Sequence, residues 1–127
     1  MADETLKEMI WRNSDGRCRY CGRPVNKDYW HLEHINPRSA GGKTVGDNLG
    51  VSCVQCNHRK FNRDVNGFRK WVIRKALNIL RNSSNLWLPI LADYLPEQEL
   101  VKIEAAYLHL VNCIENAPVV FYYERGA

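Results

Sequence analysis

Two C-x-x-C pairs, Cys18/Cys21 and Cys53/Cys56, constrain this chain more than any other feature. Four thiolates in two close pairs match the tetrahedral demand of zinc. A chain holding such an ion must bring residue 53 back to residue 18, so residues 22–52 form a closed excursion. That excursion exceeds the roughly 15–20 residues between the pairs of a simple zinc ribbon, and is expected to carry structure of its own. The metal reading over disulfides fits a reducing compartment. The start, MADETLKEMIW, lacks the basic-then-apolar pattern of a secretory signal, and no apolar run approaches the ~18 residues of a membrane span. A cytoplasmic protein without membrane contact is expected. The fifth cysteine, Cys113, lies beside Leu110 and Ile114 in an apolar helical pattern and is expected to be a buried small hydrophobe.

At 127 residues the chain has room for one modest core. Residues 3–13 read as a short helix with acidic residues in its first turn. CRYCGRP forms a knuckle, with Gly22 turning backbone amides toward the thiolates. Residues 29–35 have strand propensity, and Pro37 with Gly41-Gly42 opens a loop to about residue 46. Residues 49–52 return as a strand, and a helix follows from about Asn57. Residues 67–82 form an amphipathic helix with Phe68, Trp71, Val72, Ala76 and Leu80 on its apolar face. Asn82-Ser83-Ser84-Asn85 is expected to end that helix. Residues 86–95 are apolar and interrupted by Pro89. A second long helix then covers 97–116, its core side near Leu100, Ile103, Tyr107, Leu110 and Ile114. The tail VVFYY reads as an edge strand.

Within the excursion, Glu33 and His34 stand side by side, and Asn48 and Asn57 return near them through the hairpin and helix. A carboxylate with amide or imidazole neighbours suits a hard cation such as magnesium or manganese. Imidazole is a natural general base at cellular pH. This is the equipment of metal-assisted hydrolysis. Read singly, the Glu-His dipeptide is equally a strand with one solvated carboxylate and one packed histidine.

HLEHINPRSAGGKTVGDNLGVSCVQCNHRK as a whole closely resembles the HNH, or ββα-metal, endonuclease family, over roughly residues 15–63. The resemblance implies an α+β fold, with a small ββα-metal, treble-clef-like core on a structural zinc and C-terminal helices. Residues 1–65 would be the nuclease core and 66–127 a helical extension packed on it. His34 is implied as general base, and Glu33 as metal ligand in a place more often held by Asp. Asn48 matches the residue that shapes the loop. Asn57 matches the last motif position, a second ligand to magnesium or manganese, with His58 beside it as a substitute or phosphate contact. The implied reaction is phosphodiester hydrolysis leaving 5′-phosphate and 3′-hydroxyl ends. Such proteins commonly serve phages, mobile elements and bacterial defence.

Charge supports a polyanionic partner. Residues 59–81 hold eight Lys/Arg against one acid, whereas residues 82–127 hold two against six. Arg38, Arg59, Lys60 and Arg63 are candidate phosphate contacts, and Lys70, Arg74 and Arg81 line one helix face. DNA is the expected nucleic acid. Nothing after Arg81 carries chemistry, so residues 82–127 are left to packing, a protein partner or a homodimer. Two other readings compete. A zinc deaminase is suggested by His31-x-Glu33 before Cys53-x-x-Cys56, but the proline of its P-C-x-x-C is missing and Cys18/Cys21 would be idle. A non-catalytic zinc-stapled binding module would not require Glu33, His34 and Asn48.

Overall fold

The computed structural model describes residues 5–126. Helix α1 (Leu6–Asn13) starts at Thr5, whose hydroxyl accepts from the Glu8 amide while Glu8 returns a carboxylate to the Thr5 amide. The Asp3 and Glu4 expected in its first turn lie outside the described residues. Strands β1 (His31–His34) and β2 (Leu49–Ser52) pair antiparallel, with His31 opposite Ser52 and His34 opposite Leu49. Helix α2 (Val54–Lys60) follows at once. It begins three residues earlier than the sequence suggests, because Cys53 serves as its N-cap and its sulfur accepts from the Cys56 amide at 3.3 Å. Its end is abrupt, since Phe61 takes φ of +52°, a backbone region costly for a residue with a Cβ. Two strands and a helix thus form the expected ββα unit.

The chain divides into two compact units. The first runs to Phe68 and regains the tail from Val120, and the second is Arg69–Val119. A boundary at 65/66 assigns the whole tail to the extension, whereas in the structure the tail belongs to the first core. Tyr20, Phe68 and Phe121 bury their rings together, with centroids 5.0–5.2 Å apart. The Tyr122 and Tyr123 amides donate to the carbonyls of Tyr20 and Arg19, both at 2.9 Å. These two bonds anchor the tail on the knuckle, but the expected edge strand does not form: residues 122–124 close into a 3₁₀ turn instead of extending. Trp30, Leu49 and Val51 are buried in the same unit, as are Cys18 and Cys56.

Helices α3 (Val65–Tyr94) and α4 (Glu97–Glu115) make up most of the second unit. The break expected at residues 82–85 does not occur, and α3 continues through Pro89. The serines turn their hydroxyls back into the helix, Ser83 to the Leu80 carbonyl at 2.9 Å and Ser84 to Arg81 at 2.8 Å. Their usual competition with the backbone is thereby absorbed. Tyr107 meets Ser84 and the edge of Trp87, and Leu77 is buried. The core side expected of α4 is only partly right: Leu110 is exposed, and so is Cys113, which hydrogen-bonds His109 instead of packing.

Candidate metal and catalytic centre

The four cysteines meet. Among the described residues their sulfurs form the one group suited to a metal by donor type, all within 4.8 Å of one another. Zn–S bonds of about 2.3 Å in a tetrahedron put sulfurs about 3.8 Å apart, and Cys21 and Cys53 already stand at 3.9 Å. The donor set therefore fits zinc. Cys18 and Cys21 ride on the knuckle, where the Gly22 amide donates to the Cys18 carbonyl at 2.9 Å. Gly22 has φ of +76°, and a Cβ there would lie 2.7 Å from the Tyr122 ring, so glycine is demanded twice. A hydrogen bond from Cys56 draws Cys18 down to about 4, while donating that bond pushes Cys56 up. Burial raises Cys21. A divalent ion accepts all four as thiolates.

On the other side of the hairpin, the loop between β1 and β2 is folded around Asn48. Its side-chain oxygen accepts from the Asn36 amide at 2.8 Å, and its amide donates to the carbonyls of Asn36 and Lys43 at 3.0 and 2.9 Å. Gly42 lets the turn close, since a Cβ there would fall 1.8 Å from the Asn36 oxygen. The closed loop carries Thr44 to His34, with Oγ1 2.9 Å from Nε2. Asn48 thus shapes the loop, and the loop's contact from Thr44 to His34 is one that sequence reasoning missed. No motif position marks Thr44, because only the folded loop brings it to the imidazole.

Glu33 and His34 point apart, as neighbours on a strand do. The Glu33 carboxylate is buried. Tyr20 donates to its Oε2 at 2.7 Å, and the Lys60 ammonium stands 2.6 Å from Oε1. Lys60 also donates to the His34 carbonyl at 3.1 Å. Burial, then the Glu33 charge, raises the Tyr20 hydroxyl well above its ordinary value, so it stays a donor. Removing one member of a buried ion pair leaves the other uncompensated, a loss of about 3–5 kcal/mol. Oε1 makes the ion pair without receiving a directed hydrogen bond. A carboxylate has about four lone-pair directions, so Glu33 keeps acceptor directions, but its charge is already balanced by the Lys60 ammonium, with which a cation there would compete.

The remaining expected residues scatter. Asn57, half-buried, lies one turn before Lys60 on α2, whereas His58 is exposed. Lys60 does not stand at the surface as a phosphate contact: its side chain is 2% exposed. Arg38 and Arg59 are exposed, and Arg63 is half-buried and donates to the Arg59 carbonyl. In the second unit Lys70 and Arg74 are exposed, while Arg81 pairs with Glu115 at 3.0 Å.

Comparison with known proteins agrees with this geometry. Residues 18–63 match the family model for HNH endonuclease. A stretch of 59 residues is 34% identical to the CRISPR-associated endonuclease Cas9 of Corynebacterium diphtheriae, covering 42% of this chain and 5% of that protein. The chain therefore spans only a small fraction of the length of the curated relative it matches. No solved structure matches. No helix among the described residues is long and apolar enough to cross a membrane. The ββα unit, the four-cysteine cluster and the family match together identify residues 18–63 as an HNH endonuclease domain.

Proposed function

We propose that this protein is a metal-dependent nuclease that hydrolyses phosphodiester bonds, with DNA as its substrate and His34 as general base. The observation that carries the reading is the His34–Thr44 contact on a loop organised by Asn48. In the tautomer where Nε2–H donates to the Thr44 hydroxyl, Nδ1 is the nitrogen left to take a proton from water. An imidazole held in this way suits general-base chemistry better than binding alone. Glu33 and Asn57, with His58 in reserve, would hold a magnesium or manganese ion. Bound there, the ion would stabilise charge on the phosphate and the leaving 3′ oxygen. The four cysteines serve a structural zinc. Arg38 and Arg59 offer exposed guanidinium groups to phosphates, with Lys70 and Arg74 as further contacts. The same reading leaves residues 82–119 for a protein partner or second copy, since Leu86, Tyr94 and Leu108 stay exposed there. Phage or defence settings and a cytoplasmic location fit such an enzyme.

The test is cleavage by purified protein of duplex DNA, single-stranded DNA and RNA, with magnesium, manganese or chelator. Divalent-dependent cutting of DNA into 5′-phosphate ends is expected. Tight binding without cutting in any metal would support the binding-module alternative.

A further inference from the structure

Lys60 is the largest side chain that the fold fully buries. Lysine is almost never fully buried unless paired, and here one ammonium makes two contacts of different kinds. It faces the side chain of Glu33 at 2.6 Å and the backbone carbonyl of His34 at 3.1 Å. Helix α2 thereby grips two successive residues of β1, one by charge and one by main chain. The second Glu33 oxygen is held at 2.7 Å by Tyr20, which sits between Cys18 and Cys21 on the zinc knuckle. Three parts of the domain, α2, β1 and the knuckle, thus converge on one carboxylate.

We infer that Lys60 is a positioning residue for the catalytic strand, fixing the backbone of His34 and the carboxylate of Glu33, and that it makes no contact with substrate phosphate. The inference rests on His34 being the base, and it follows from strand geometry. Because adjacent side chains leave a strand on opposite faces, a clamp on Glu33 from within sets the outward direction of the imidazole next to it. The carbonyl contact removes what freedom remains at the end of β1, beyond which the chain enters the loop. Thr44 can meet Nε2 only while that direction is held. Residue type and neighbourhood concealed this role, since Arg59-Lys60 in a basic stretch resembles a phosphate-binding pair. Arg59 is exposed and Lys60 is not.

The decisive experiment compares Lys60→Met and Arg59→Gln with the wild type in three readouts. Binding to a short DNA duplex is followed against salt with magnesium and manganese left out, where each phosphate left unneutralised lowers the slope by about 0.9. The slope should be unchanged in Lys60→Met and reduced in Arg59→Gln. The ring ¹⁵N signals of His34 should report one tautomer, protonated at Nε2, in the wild type and an average of both in Lys60→Met. Cleavage should lose about 10–100-fold in kcat, the range for supporting contacts of this kind, with KM within twofold. Should Lys60→Met fail to fold, the double variant Lys60→Met/Glu33→Gln, which leaves no lone buried charge, is read by slope and ring signals in the same way. A slope reduced by about 0.9 with unchanged His34 signals would make Lys60 a phosphate contact and overturn the inference. If the wild type cuts nothing, the nuclease reading fails, while the slope and ring signals still decide the place of Lys60.

Discussion

Thr44 shows how much of the site rests on single hydrogen bonds. Its hydroxyl is the partner of His34 Nε2, so Thr44→Val should lower kcat about tenfold by freeing the tautomer, at little cost in melting temperature. Thr44→Ser, which keeps the oxygen, should restore most of the rate. Steady-state kinetics on the two variants check this, and equal rates in both would remove Thr44 from the site. The motif residues are legible in the sequence because their chemistry is local: Asn48 satisfies three backbone groups, and Gly42 cannot carry a Cβ. Lys60 is not legible, because a lysine beside arginines carries no sign of whether its ammonium turns inward. Only the Glu33 carboxylate, brought opposite α2 by strand pairing, decides that. Cys113 misleads for the related reason that helical spacing names a face without saying what covers it.

Among the elements, the knuckle and hairpin follow from spacing, since paired cysteines and a Gly-Gly loop leave few ways to close the chain. The length of α3 does not, because the Ser signals are overridden by hydroxyl-to-carbonyl bonds within the helix, which also runs on through Pro89. The tail also holds more than its sequence suggests. Phe121 lies far in sequence from Tyr20 and Phe68, yet the three rings share one core. Phe121→Ala should therefore cost the first unit about 3–5 kcal/mol, seen as a large fall in denaturation midpoint, although the family motif ends long before it. Zinc belongs to the same scale. Elemental analysis should find one zinc per chain, and Cys53→Ser should lose it together with soluble expression or thermal stability. A zinc-free wild type of undiminished stability would remove the staple.

For the molecule as a whole, the uneven charge is the feature with a functional consequence. Lys70 and Arg74 are exposed, whereas Arg81 already faces Glu115. Neutralising Lys70 and Arg74 together should weaken DNA binding and flatten its salt dependence, by up to about 0.9 for each phosphate that the helix no longer neutralises. Adding Arg81→Gln should change little more. An unchanged slope would leave that helix face to solvent. The central claim, hydrolysis driven by His34, is tested most directly by cleavage rates of His34→Ala beside the wild type, in magnesium, with DNA affinity measured on the same preparations. General-base catalysis predicts a loss on the order of 10²–10⁴-fold in rate with nearly unchanged affinity. A His34→Ala protein that cuts at the wild-type rate, free of contaminating nuclease, would contradict it.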